Sequence, residues 1–143
     1  YLQAKQIAEG YVTPDQFEQN YRDLLTRLQL AHVLPWVGLQ PSEYNRTLVD
    51  VLQQFNARAA IAARAHNIPT LDLMQPLTPS TLTERPPFTM DDINLIGRRV
   101  KAHWDDYETA RQRRGFTYTF DGSHPTPQGA EKIAALVADF LPS

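Results

Sequence analysis

The 143 residues fit one domain, a unit that clusters near ~100–150 residues. Apolar residues make up 42% and charged ones 21%, with 14 basic against 16 acidic side chains and a net charge of −2. That balance excludes a polybasic nucleic-acid binder and an apolar-poor disordered tail, and the lack of cysteine excludes disulfides, thiolate metal sites and a cysteine nucleophile.

Helices and strands alternate along the chain. Thr13-Pro14-Asp15-Gln16 opens the first helix with a capping hydroxyl, proline at the first helical position and glutamine three residues after the cap. Phe17, Tyr21, Leu24, Leu25 and Leu28 then recur on a single face. The apolar run Leu30-Ala31-His32-Val33-Leu34, ended by Pro35, predicts a short strand buried on both faces. A second helix fits residues 43–67 with Ser42 as its cap, lined by Leu48, Val49, Leu52, Phe55, Ala59, Ala62 and Ala63. Residues 68–73 predict a second strand, and the proline-rich stretch 74–88 a surface loop.

A third helix is expected from Thr89, with Asp91 and Asp92 in its first turn, Ile93, Ile96, Val100, Trp104 and Tyr107 on its face, and Gly115 as its stop. Phe116 to Phe120 alternates aromatic residues with threonine, as a half-covered strand or an extended segment does. The last helix has Thr126 as cap, Pro127 at its start and a stripe of Ile133, Leu136, Val137, Phe140 and Leu141. Strands separated by single helices imply βαβ units and a mainly parallel sheet. The stretch from Ile133 to Leu141 falls far short of the ~20 residues that span a bilayer. The chain opens on Tyr1, so the absence of a leader there carries no weight, and the compartment stays open.

Chemistry concentrates at Asp121-Gly122-Ser123-His124-Pro125-Thr126. An aspartate three residues before a histidine suits a carboxylate-oriented base. The carboxylate takes the hydrogen bond of one ring nitrogen, and the other nitrogen is left to accept a proton. Taken alone, the tetrapeptide more often marks a capping or turn-forming Asp beside a surface His. His32, His66, His103 and His124 are scattered without the i, i+4 spacing of a helical metal site. Paired charges such as Asp105-Asp106 and Arg113-Arg114 read as solvated helix faces. Trp36 follows the expected strand at 30–34, at the carboxyl end where ligands bind open α/β sheets, and is a candidate substrate contact or, equally, a side chain packed under the loop.

Residues 121–130, followed by an amphipathic helix, resemble the last block of the SGNH (GDSL-type) hydrolases, which supplies the catalytic Asp and His. Upstream features agree in order: the Thr13-Pro14 helix with Phe17, Asn20 and Leu24, the apolar run at 30–34, and the helix from Asn56 to Asn67 leading into residues 68–73. The resemblance implies a three-layer α/β/α sandwich with a mainly parallel, flavodoxin-like sheet, and an insertion at about 77–115. It implies ester hydrolysis through an acyl-enzyme on a small-molecule substrate, with Asp121 and His124 as the catalytic pair and no metal or organic cofactor. The family's Gly-Asp-Ser and Gly-x-Asn-Asp blocks are absent from the sequence. This chain is therefore expected to be the C-terminal part of the domain, with nucleophile and oxyanion donors on a missing N-terminal segment or a companion chain. Ser42, Ser80, Ser123 and Ser143 are its serines, and none lies in a nucleophile-type turn. The competing expectation is a non-catalytic binding or scaffolding domain that retains the Asp–His pair without a nucleophile.

Overall fold

A computed structural model of the chain describes residues 12–86, 97, 98, 101–103 and 106–141. The described elements are α1 (Pro14–Leu30), β1 (Val37–Leu39), α2 (Arg46–Ala65), β2 (Thr70–Asp72), α3 (Met74–Leu77), α4 (Tyr107–Arg114) and α5 (Pro127–Phe140). β1 and β2 pair in parallel with Val37 opposite Thr70 and Leu39 opposite Asp72, joined through α2 as one βαβ unit.

The start of α1 follows its sequence signal. Thr13 Oγ1 accepts from Gln16 N–H while the Gln16 side chain accepts from Thr13 N–H, so two otherwise orphaned donors are satisfied. Its end departs from expectation, because residues 30–34 form no strand. The helix runs on to Leu30, and His32 then turns the chain at φ +58°, with Val33 N–H donating back to the Leu28 carbonyl. A left-handed residue closing a helix in this way satisfies its last carbonyls. Leu30 and Leu34 are 75% and 95% exposed rather than buried on two faces, and pairing begins only beyond Pro35, which has no N–H to donate. α2 ends by the same device, with Asn67 at φ +55° and Ile68 N–H on the Ala63 carbonyl, and it too feeds a strand.

The core lies between α1, α2 and β1. Leu25, Val37, Ala59, Ala62, Ala63 and Ile68 are buried together, with Phe17, Tyr21 and Leu39 packed on them. The alanines of the second half of α2 let it lie close to its neighbours. Phe17 stacks on Tyr21 at 5.3 Å and meets Phe55 edge-on at 5.1 Å, which pins the two helices near one end. Burial in this seam pushes the Tyr21 phenol above its ordinary pKa. Leu24, expected on the buried face, is 48% exposed. Arg58 crosses the seam to Asp15 and Glu18, and the Arg22 and Arg58 guanidiniums hold the Glu18 carboxyl below the usual range.

Asn45, not Ser42, caps α2: its Oδ1 accepts from Leu48 N–H at 2.8 Å. The loop expected at 74–88 opens with α3, whose first amides are taken by Asp72 Oδ1. α4 starts at Tyr107 behind an Asp106 cap and stops at Gly115 as expected. The earlier part of the expected third helix, including Asp91, Asp92, Ile93 and Ile96, lies outside the described residues. Residues 116–120 form no ladder strand. They bend at Thr117, Tyr118 and Phe120, with one antiparallel bridge from Thr119 to Pro125. α5 begins at Thr126 and Pro127 as its sequence dictates.

Candidate active site

The aspartate–histidine loop joins residues 116–120 to α5. Asp121 is buried, and its Oδ1 accepts the N–H groups of Ser123 at 3.0 Å and His124 at 2.8 Å. Those two bonds make a tight turn that brings the imidazole back onto the same carboxylate. Nδ1–H of His124 then donates to Asp121 Oδ2 at 2.8 Å. One carboxylate thus fixes both the turn and the ring. The asymmetry of exposure matters chemically, because the Asp121 side chain is 10% exposed and that of His124 52%. With Nδ1 engaged, Nε2 is the ring nitrogen left for a proton from outside. The Phe120 ring stacks on the imidazole at 5.9 Å and leans on Tyr107 of α4 at 5.0 Å, so α4 supports the histidine through an aromatic row.

Neighbouring segments hold this loop at both ends. On the α5 side, Thr126 N–H donates to the Tyr118 carbonyl and Thr126 Oγ1 accepts from Gly129 N–H. Gly129 sits so close to Tyr118 that a Cβ there would lie 2.1 Å from its carbonyl oxygen. On the other side stands the chain that leaves the carboxyl end of β1. Glu43 N–H and Ser42 Oγ–H both donate to the Gly122 carbonyl at 3.0 Å. Gly122 has φ +96°, and a Cβ there would approach Tyr44 to 2.8 Å, so glycine is required on both counts. The Glu43 carboxylate, buried at 3% exposure, accepts the N–H groups of Thr117 and Tyr118, each at 2.6 Å.

The segment at 41–45 is the continuation of β1, so the Asp121–His124 loop stands at the carboxyl edge of the parallel strands. Trp36 does not share that edge. With the strand at 37–39 instead of 30–34, Trp36 precedes β1 and lies at its amino end. It packs on Phe140 of α5 at 5.7 Å, beside an apolar groove of about 460 Å³ lined by Val33, Leu34, Ile68 and Leu141 among others. The carboxyl-edge argument for Trp36 as a substrate contact therefore lapses. In the sequence Glu43 is only the first residue of the expected second helix, whereas α2 begins at Arg46, and nothing local marks Glu43. Its partners are 74 and 75 residues away. Among the described residues no three His, Asp or Glu side chains converge to hold a metal ion, and no helix is long and apolar enough to cross a membrane.

The parallel βαβ unit places the Asp121–His124 pair at the carboxyl edge of its strands, where open α/β sheets bind ligands. The chain belongs to the GDSL-like lipase/acylhydrolase family, which it matches over residues 11–137. That membership places it among hydrolases of acyl groups, as the resemblance of residues 121–130 implies. No curated protein and no solved structure matches the chain.

Proposed function

We propose that the chain supplies the base half of a serine ester hydrolase that works through an acyl-enzyme. His124 Nε2 takes the proton of a serine as the serine attacks the ester carbonyl, then returns it to the departing alcohol. Asp121 holds the ring in the Nδ1–H tautomer and stabilises the imidazolium while it exists. The observation that supports this reading best is the double use of Asp121: one oxygen fixes the turn and the other orients the imidazole at 2.8 Å. A merely turn-forming aspartate has no need of the second contact.

The serine and the oxyanion donors belong, in this reading, to polypeptide that carries the Gly-Asp-Ser and Gly-x-Asn-Asp blocks, since neither string occurs in this sequence. The proposed architecture is a three-layer sandwich with residues 1–143 as its C-terminal part. It is supported by α2 packing on β1 while Trp36, just before β1, meets α5. Substrates are small-molecule esters, and no metal or organic cofactor takes part in the proposed steps.

A fluorophosphonate probe, which phosphonylates an activated serine, tests the reading in the full natural protein. Labelling is expected on a serine outside these 143 residues and should be lost in His124→Ala. The same substitution should lower kcat about 10³-fold or more with KM nearly unchanged, because the base acts in the transition state and not in ground-state binding. Labelling of Ser123 would overturn the assignment of the nucleophile. A folded protein with no labelling at all would favour a non-catalytic binding domain.

A further inference from the structure

We propose that Glu43, together with Ser42, is a positioning clamp for the Asp121–His124 loop. Its carboxylate holds the backbone that carries Asp121 and His124, and so joins the Phe120–Tyr107 packing in setting where the His124 ring stands. The inference rests on the reading of His124 as the base. Its support is a set of contacts that converge on one loop from a segment far away in sequence.

An ionised carboxylate is an acceptor only, with two oxygens, and here each oxygen meets one backbone donor: Oε2 that of Thr117 and Oε1 that of Tyr118. Bonds of 2.6 Å to a buried carboxylate belong to the strong, charge-assisted kind. Residues 116–120 need such partners because, among the described residues, no neighbouring strand provides a ladder for them, only the bridge at Thr119. The backbone of Glu43 holds the other end of the same stretch through Gly122, and Ser42 Oγ doubles that contact while itself accepting Tyr44 N–H. The clamp therefore grips the chain before and after Phe120 and Asp121.

The surrounding charge is arranged to suit a buried anion. Arg111 of α4 donates to the Phe116 carbonyl at 2.8 Å, directly before the clamped amides. Its protonated form is favoured above all by its bonds to Glu108 and, at longer range, by the Glu43 charge. Arg85 stacks its guanidinium on the Phe116 ring at 4.1 Å and donates to the Arg114 carbonyl. Two cations thus flank the entry to the loop that Glu43 holds.

Glu43→Gln is nearly isosteric but offers one acceptor where two amides need one each, and it points an NH₂ group at the second. The Thr117–Tyr118 stretch should relax, and with it the Asp121–His124 contact. The test is the tautomer of the neutral His124 ring read by nitrogen NMR, alongside kcat and KM, in the full natural protein. The wild-type ring should carry its proton on Nδ1, where Asp121 Oδ2 accepts it.

In folded Glu43→Gln the Nδ1–H tautomer should give way in part to Nε2–H, because withdrawing the Asp121 carboxylate removes the acceptor that fixes it. kcat should fall about 10- to 100-fold at unchanged KM, the scale of a misplacement of roughly 1 Å. A purely structural glutamate would lower the melting temperature and leave the tautomer of the folded protein as it was. Ser42→Ala removes one of the two donors to Gly122 and should change the tautomer populations the same way by less. It serves as the deciding variant if Glu43→Gln does not fold. An unchanged His124 tautomer in the deciding variant overturns the proposal. A changed tautomer in a protein that hydrolyses no ester would leave the clamp standing and remove the hydrolase reading instead.

Discussion

Asp121 separates two roles that one substitution can take apart. Asp121→Asn keeps an oxygen for the Ser123 and His124 amides, so the turn survives, but it places an NH₂ group against Nδ1. The ring must then hold its proton on Nε2, the nitrogen that has to accept one. Loss of kcat of about 10²- to 10⁴-fold is expected, with a melting temperature within a few degrees of wild type. Steady-state kinetics and thermal unfolding check it together. A large fall in melting temperature with proportionate kcat loss would make Asp121 a turn residue first. At this scale the sequence was readable where partners are close. Asp121 and His124 are three residues apart, and Gly122 lies between them. It was opaque where partners are remote: Glu43 meets its amides across more than seventy residues, and no local pattern announces such a pairing.

The starts of α1 and α5 were legible for the same reason, since a cap is written in four consecutive residues, whereas the cap of α2 is Asn45 and not the expected Ser42. Thr13 and Thr126 both cap as read, yet their environments differ. Thr13 caps an exposed helix end, whereas Thr126 is 2% exposed and its hydroxyl also bonds the Tyr118 carbonyl. Thr126→Ala should therefore cost more than Thr13→Ala, about 2 kcal/mol against about 1 kcal/mol in denaturant unfolding. Equal costs would argue against the tie between α5 and the Tyr118 segment. Strands were less legible. An apolar run of five residues carries no period that separates a buried strand from the end of a helix and a surface turn, and residues 30–34 turned out to be the latter.

In α4, hydrogen bonds from Arg111 first and then Gln112 hold the Glu108 carboxyl down to about 2 from an ordinary 4.5. The folded pKa is depressed, so its stabilising contribution is complete above pH 4.5 and is lost as pH falls through about 2. The Glu108 side chain is 57% exposed, so salt should weaken the effect. Carboxyl-carbon NMR titration at low and high salt measures it, and a midpoint near 4.5 at low salt would refute the pairing.

The arrangement of the whole molecule follows from what two three-residue strands can and cannot do. Parallel strands are stable when both faces and both edges are covered, and here β1 pairs only with β2 among the described residues. Beside them Leu30, Val33, Leu34 and Trp36 leave apolar surface open along the amino-end groove. Exposed apolar surface of this kind is a place where further polypeptide can pack, as the proposed architecture requires. The proposed sandwich supplies the continuation, with a further parallel strand on the free edge of β1 carrying the nucleophile to the carboxyl edge where His124 waits. A preparation limited to residues 1–143 is accordingly expected to bind the dye ANS, to unfold over a broad range of denaturant and to show no esterase activity. Adding the polypeptide that bears the serine should abolish dye binding, sharpen unfolding to one cooperative step and restore hydrolysis together. Fluorescence, denaturant titration and an ester assay on the two preparations read these changes side by side. A preparation of residues 1–143 that unfolds in one sharp step, without dye binding, would show that β1 and β2 suffice as they stand, and the continuing sheet would have to be abandoned.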